Sequence, residues 1–135
     1  MSFLKSKLID IALEARNFSH SPYSTKKIGA AIQLDNGKIY SGCNIENASY
    51  GGTVCAERVA IWKAFSENSK PVKIKSVVVS SDEPSPWPPC GMCRQVIAEF
   101  ASPDTEIILV NTAKKEITMT FTELFPFAFE PKHLG

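Results

Sequence analysis

The segment Ile-Lys-Ser-Val-Val-Val-Ser-Ser at residues 74–81 constrains the fold more than any other part of the sequence. Val77, Val78 and Val79 are consecutive β-branched residues, which favour an extended strand. Because successive side chains of a strand point to opposite faces of the sheet, a continuous apolar run requires both faces to be covered. The pattern therefore predicts a central strand in a sheet with helices on its faces.

A hairpin is predicted upstream of this strand. Residues 28–34 and 38–44 are two largely apolar runs, and the turn between them contains Asn36 and Gly37. Asn-Gly between apolar runs is a strong hairpin signal, because both residues tolerate the positive φ that tight turns require. The two runs are expected to pair as antiparallel strands.

Helical periodicity predicts three helices around these strands. The first precedes Ser21-Pro22 and places apolar residues at helical spacing, namely Leu4, Leu8, Ile11, Ala12, Ala15 and Phe18. The second and third begin near residues 53 and 90 and end near residues 68 and 101. Further strands are predicted at 106–111 and 116–120, and a short helix or aromatic-rich tail at 121–129.

The order of these elements predicts an α/β protein with a mixed sheet, in which the later strands are parallel because helices connect them. The 135 residues contain no internal repeat and no interdomain linker. A chain of this length buries enough surface to form one core. We therefore expect a single domain spanning residues 1–135.

Charge and hydropathy exclude several classes of partner. Fifteen basic and fourteen acidic residues give a formal charge of +1, too weak a field to favour a nucleic acid polymer or an anionic membrane. Lys5, Lys7 and Asp10 interrupt the N-terminal segment, which therefore does not read as a signal peptide. A cytoplasmic protein without a membrane partner is the default expectation, and its four cysteines should then remain reduced.

Three of the cysteines have the pattern of a metal site. Cys90 and Cys93 form a C-x-x-C pair, and Cys55 lies at the start of another predicted helix. Ligands of α/β sheets tend to bind beyond strand ends, where helices begin, so the three thiols are expected to converge. Zinc favours such sulfur ligands, and three protein ligands leave a fourth position open for water. Cys43 is expected to pack in the sheet instead.

Glu57 gives this pattern a catalytic interpretation. A carboxylate in the first turn of a helix usually only offsets the helix dipole. Together with three thiols, however, it supplies an acid/base group beside a metal, which a redox dithiol or a structural zinc site does not need. Both of those alternatives stay open: a thiol redox protein, because Trp87 precedes the C-x-x-C pair, and a closed zinc site with Cys43 as fourth ligand.

The sequence resembles the small cytidine deaminases over nearly its whole length. The motifs that carry the resemblance are GCNIENASY at 42–50, CAER at 55–58 and PCGMCRQV at 89–96. The resemblance implies a three-layer α/β/α sandwich with a mixed five-stranded sheet, and Zn²⁺ held by Cys55, Cys90 and Cys93. It also implies a homotetramer that deaminates cytidine and 2′-deoxycytidine hydrolytically, releasing ammonia, as in pyrimidine salvage.

Roles for individual residues follow from the same resemblance. Glu57 is implied as the proton shuttle, and Arg58 as a hydrogen-bond donor to thiolate sulfur. The implied substrate-binding residues are Asn44, Glu46, Tyr50, Ala56 and Phe129. In the tetrameric members, aromatic side chains at the positions of Tyr50 and Phe129 reach the pocket of a neighbouring subunit.

One position departs from the family pattern. Lys26 stands where the family commonly has a phenylalanine that packs beside the base, and Trp87 could supply a different apolar wall. A second hypothesis is therefore a deaminase of a modified cytosine nucleoside or of a blasticidin-S-like analogue.

Overall fold

The structure, a computed structural model, describes residues 3–135 and is organised around one sheet. Its strands are β1 (Gly29–Leu34), β2 (Ile39–Cys43), β3 (Ile74–Ser81), β4 (Ala101–Asn111) and β5 (Glu116–Thr120). Their order across the sheet is β2-β1-β3-β4-β5. β3 and β4 are parallel, and the other neighbouring pairs are antiparallel. The predicted mixed five-stranded sheet is confirmed.

The helices are α1 (Phe3–Ala15), α2 (Ala56–Glu67), α3 (Gly91–Phe100) and α4 (Phe121–Leu124). Short 3-10 turns lie at Arg16–Phe18, Tyr50–Gly52 and Pro131–Leu134. α2 starts at Ala56, later than predicted, because Cys55 has extended dihedral angles of φ −79° and ψ 156° and caps the helix. Each helix within residues 3–135 is too short or too polar to cross a lipid bilayer.

The valine run separates two apolar layers, as its alternation requires. Val78 packs in a cluster with Leu8, Ile9 and Ala12 of α1. Val77 and Val79 point to the other face, in a second cluster whose helical members are Ala60, Ile61, Ala64 and Ile97 of α2 and α3. Helices thus cover both faces of the sheet, which confirms the three-layer α/β/α sandwich.

β4 begins at Ala101, earlier than the predicted start at residue 106. Its pairing with β3 shifts register between Ile74 and Ser76, so the early part of the strand is irregular. Pro103 lacks an amide donor, which is why the sequence does not read as a strand there. The Thr105 hydroxyl connects this part of β4 to β3. It accepts a hydrogen bond from the Ser102 amide at 2.9 Å and donates one to the Ile74 carbonyl at 2.8 Å.

Gly42 on β2 allows α2 to lie close against the sheet. A Cβ atom at this position would lie 2.5 Å from the Ala56 carbonyl oxygen and 2.7 Å from the Ala60 amide nitrogen. Both neighbours are helix backbone, which has no rotamer with which to move away. The missing side chain therefore sets the depth of the first turn of α2, the turn that contains Glu57.

We expect Gly42→Ala to lower the free energy of unfolding by about 1–3 kcal/mol, because α2 must shift to remove the overlap. Urea denaturation followed by circular dichroism measures this change. Gly51→Ala is the matched control, because a Cβ at Gly51 meets no atom within 4 Å. Equal stability of the two variants would contradict the tight packing of β2 against α2.

Candidate active site

Three cysteine sulfurs meet where two helices begin. Cys55 and Cys90 are the residues immediately before α2 and α3, and Cys93 lies in the first turn of α3. Their Sγ atoms all lie within 4.8 Å of one another, and those of Cys55 and Cys90 are 3.7 Å apart. All three are free thiols. The packing of α2 and α3 on the same face of the sheet thus places them together.

The donor set fits zinc. Three sulfurs at this spacing match the soft ligands and the tetrahedral geometry that Zn²⁺ favours. The unpaired amide groups of a helix start favour negative charge, and hence thiolates, at these positions. Within residues 3–135 the cluster contains no fourth His, Cys, Asp or Glu ligand. Cys43 is half-buried on β2 and lines a separate cavity with Gly42 and Lys63.

The pKa values of Cys55 and Cys93 are shifted in opposite directions. A hydrogen bond with Cys93 lowers the pKa of Cys55 to about 5, and a hydrogen bond from Arg58 acts in the same direction. The pKa of Cys93 is raised, first by the same hydrogen bond and then by burial. Arg58 Nη2 donates to Cys55 Sγ at 3.6 Å, and its guanidinium lies 5.8 Å from the Trp62 ring centre. Cys55 is therefore ionised more readily than Cys93.

Glu57 is a buried carboxylate beside these sulfurs. Its exposed fraction is 3%, and among the described residues no basic group forms a salt bridge with it. Burial raises the pKa of Glu57 to about 7, and the negative charge of Cys55 adds to the increase. A carboxyl group with a pKa near neutrality accepts and releases a proton readily, as general acid/base chemistry requires.

A cavity of about 400 Å³ opens onto this cluster. Residues that the sequence assigned to the site and that line the cavity are Asn44, Glu46, Cys55, Ala56, Glu57 and Cys90. Its remaining walls are mainly apolar and include Ile28, Val54, Val79 and Trp87. Cys93 is fully buried, and Arg58 does not line the cavity. The space suits a small ligand with an apolar ring.

Asn44 joins the end of β2 to the loop before β1. Its side-chain oxygen accepts from the Ile28 amide at 2.9 Å and from the Ser19 hydroxyl at 2.5 Å. Its side-chain nitrogen donates to the Lys26 carbonyl at 2.7 Å. Asn44 is 8% exposed and still borders the cavity. It therefore holds the loop that forms one wall of the cavity, a role that sequence reasoning missed.

Glu46 anchors the same loop from the other side. Its carboxylate accepts from the Tyr23 and Ser24 amides at 3.0 and 3.1 Å and from the Ser24 hydroxyl. The bond from the Ser24 hydroxyl is the main cause that holds the pKa of Glu46 below its ordinary value. Glu46 thus remains ionised at neutral pH. Ser24 was missed as its partner, because nothing in the spacing of residues 24 and 46 predicts the contact.

Tyr50 and Phe129 lie outside the cavity of their own chain. Their exposed fractions are 77% and 53%. The Tyr50 ring meets Tyr23 edge-on, with ring centres 6.0 Å apart, and the Phe129 ring lies 5.3 Å from that of His133. A single chain therefore does not bring these two predicted residues to the rest of the site.

The cavity wall at Lys26 contains an ion pair that the sequence did not predict. Lys26 Nζ lies 2.7 Å from Glu83 Oε1 and 5.7 Å from the centre of the Trp87 ring. The sequence indicates Lys26 and Trp87 as residues of the cavity wall, but it gives no such indication for Glu83. No motif contains Glu83, and only the fold brings residues 26 and 83 together.

Residues 4–110 match the family described as "Cytidine and deoxycytidylate deaminase zinc-binding region". The chain belongs to this family. The match spans the three cysteines and Glu57, so the zinc cofactor predicted from the sequence is confirmed at the level of the family. The resemblance drawn from the three motifs is confirmed as well.

Members of the family match the chain over almost its full length. A cytidine deaminase of Halalkalibacterium halodurans is 44% identical over 97% of this chain and 98% of its own. The crystal structure of a cytidine deaminase from Burkholderia pseudomallei covers 96% of this chain and 100% of its own, with 38% identity and a TM-score of 0.87. A more distant relative, a blasticidin-S deaminase of Bacillus cereus, is 33% identical over 91% of this chain and 90% of its own.

We expect Cys90→Ser to reduce bound zinc far below the value of about one ion per chain that a three-sulfur site supports. Cys90 is exposed, so its replacement removes a ligand with little effect on the core. Elemental analysis of purified protein after dialysis measures the zinc content. Cys43→Ser is the control and should retain zinc. A closed site with Cys43 as fourth ligand predicts the opposite result for the control.

Proposed function

We propose that the chain catalyses the zinc-dependent hydrolytic deamination of cytidine and 2′-deoxycytidine to uridine and 2′-deoxyuridine, with release of ammonia. The observation that carries the proposal is the buried carboxylate of Glu57 beside three clustered thiols, two of which, Cys55 and Cys90, line one cavity with it. The names of the relatives that match nearly the whole chain support the substrate.

Cys55, Cys90 and Cys93 are the proposed zinc ligands. Zinc held there would make a water molecule more acidic and orient it toward C4 of the pyrimidine ring. Three thiolates carry more negative charge than the divalent cation neutralises. The helix starts at Cys55 and Cys90 offset part of this excess, and the hydrogen bond from Arg58 to Cys55 offsets more.

Glu57 is the proposed proton shuttle. It accepts one proton from the attacking water and delivers it to ring N3. It then passes the proton remaining on the added oxygen to the amine, which leaves as ammonia when the C4–N bond breaks. One carboxyl group serves both directions efficiently when its pKa is close to the working pH. Burial provides that condition by raising the pKa of Glu57 to about 7.

Ala56, Asn44 and Glu46 are proposed to hold the nucleoside. Three donors already bind the Glu46 carboxylate, which has about four lone-pair positions and so retains room for a sugar hydroxyl. A negative charge at this wall repels a phosphate. We therefore assign a free nucleoside as substrate in preference to a nucleotide or a nucleic acid polymer.

The proposed enzyme is a homotetramer of single catalytic domains, each spanning residues 1–135. The exposure of Tyr50 and Phe129 supports this assembly, because large exposed aromatic side chains are typical of interfaces. In the tetramer these two rings would complete the pocket of a neighbouring subunit. Reduced cysteines and the reaction itself support a cytoplasmic enzyme of pyrimidine salvage.

The other candidate functions account for fewer of the observations. A thiol redox protein needs Cys90 and Cys93 but gives no role to Cys55 or Glu57. A closed structural zinc site lacks a fourth ligand in the described cluster. Deamination of a blasticidin-S-like compound is the second candidate, supported by the distant relative of that name and by Lys26 at the cavity wall.

We expect Glu57→Gln to lower kcat for cytidine by about 10²–10⁴-fold while zinc remains bound, because the amide cannot transfer the proton. The decrease in ultraviolet absorbance as cytidine is converted to uridine measures the rate, and blasticidin S is assayed in parallel. Glu67→Gln is the control, an exposed carboxylate at the end of the same helix. A zinc-loaded Glu57→Gln protein as fast as the parent would exclude the shuttle.

We expect kcat/KM for cytidine to fall as the pH is lowered through the pKa of Glu57, because only the ionised carboxylate accepts a proton. Burial raises this pKa from 4.5 to about 7. Three thiolates exceed the charge of a divalent cation, so the zinc-loaded site stays negative and the midpoint should lie above 4.5, toward 7. Initial rates at subsaturating cytidine across this range test it; a flat profile would contradict a single titrating base.

A further inference from the structure

A second cavity adjoins the catalytic one. It measures about 420 Å³ and is lined by Arg16, Thr25, Lys26, Lys27, Ile28, Asp82 and Glu83; we call it the outer cavity. Lys26 and Ile28 line both cavities. These two side chains therefore form the wall between the space beside Glu57 and the outer cavity.

The backbone of this wall is firmly held. The Lys26 carbonyl accepts from Asn44 at 2.7 Å, and the Lys26 amide donates to the Ser24 hydroxyl at 3.0 Å. Thr25 has a φ of +63°, a left-handed conformation that fixes the direction in which the chain enters Lys26. Ile28 is partly buried against the core. The backbone and Ile28 are therefore held by more contacts than an exposed side chain.

The Lys26 side chain is held only weakly. Its ammonium pairs with Glu83 at 2.7 Å and lies over Trp87, but 46% of the side chain is exposed. Exposed ion pairs contribute between about 0 and 1 kcal/mol, because water competes for both charges. Of the two residues that separate the cavities, Lys26 is therefore the one whose side chain can move. A rotamer of Lys26 that points to solvent would join the two cavities.

We infer that the Lys26 side chain is a movable partition that determines how large a substituent on the cytosine ring the enzyme accepts. The inference rests on the proposed deamination of cytosine nucleosides. A substituent that displaces Lys26 from Glu83 enters the outer cavity, while the ring stays beside Glu57. The ion pair with Glu83 opposes this displacement and so favours unsubstituted cytidine.

The test uses a cytidine substituted at C5, a position that leaves the departing amine unchanged. We compare kcat/KM for cytidine with the value for 5-propynylcytidine. Lys26→Ala should raise the ratio of 5-propynylcytidine to cytidine by about tenfold, because one group of this size in a pocket has an effect of that order. Glu83→Gln and Lys26→Met, which remove the ion pair but keep long side chains at both positions, should raise it about two- to fivefold.

Lys27→Ala is the matched control, a neighbouring lysine that lines the outer cavity and not the catalytic one. Its ratio of 5-propynylcytidine to cytidine should equal that of the parent. Thermal unfolding verifies that each variant is folded, and Lys26→Met replaces Lys26→Ala if the latter is not.

The test distinguishes a failure of the inference about Lys26 from a failure of the proposed function. If cytidine is deaminated but the Lys26 and Glu83 variants keep the parent's ratio, the partition is wrong and the proposed function stands. If the zinc-loaded parent deaminates neither of these nucleosides, the proposed function itself is wrong.

Discussion

The packing of α2 and α3 on one face of the sheet is the constraint on which the site depends. Small buried residues of α2, Ala60 and Ala64, and the missing side chain of Gly42 let the helix approach the sheet closely. Because the sulfurs lie at the starts of these two helices, their separation is fixed by helix packing and not by a flexible loop. A metal ligand set built this way is pre-organised before any ion binds.

The same packing brings several groups that can carry negative charge close together. Their repulsion lowers stability, but it also prepares the site for proton transfer. Glu57 and three thiols meet at one corner of the cavity, where negative charges repel one another and the buried Glu57 and Cys93 lack solvent. In the metal-free protein, protonation of Glu57 and Cys93 reduces this repulsion, as their raised pKa values indicate. A divalent cation would resolve it in a different way, by replacing protons as the source of positive charge. Metal binding and proton release are therefore linked at this corner.

The hydrophobic pattern and the turn residues predicted the central strand and the hairpin. The valine run at 77–79 required two covered faces, and Asn36-Gly37 placed the hairpin, because alternation and turn geometry are properties of neighbouring residues. The pair Cys90 and Cys93, with Cys55, predicted the cluster because helix starts recur at one end of such sheets. The irregular start of β4 was not predicted, since it depends on a contact from Thr105 to Ile74.

The walls of the cavity were the least predictable part of the site. Asn44 and Glu46 were identified as ligand contacts, yet most of their hydrogen bonds go to the loop that contains Ser24 and Lys26. Glu83 reaches Lys26 only through the return of the chain after β3. The placing of Tyr50 and Phe129 in a neighbouring pocket stays a prediction, because one chain contains only half of such a contact.

The three hydrogen bonds of Asn44 have a consequence for how this scaffold diversifies. One amide satisfies an Ile28 amide, a Ser19 hydroxyl and a Lys26 carbonyl at once, and no other side chain of that size offers the same donors and acceptor. Replacing Asn44 would leave at least one of these groups without its partner, whereas all three bonds survive a replacement at position 26, because Lys26 contributes only its main-chain carbonyl. There the main chain is tethered, yet the side chain is free to change, so new substrate ranges would arise by replacing a single residue on an unaltered frame.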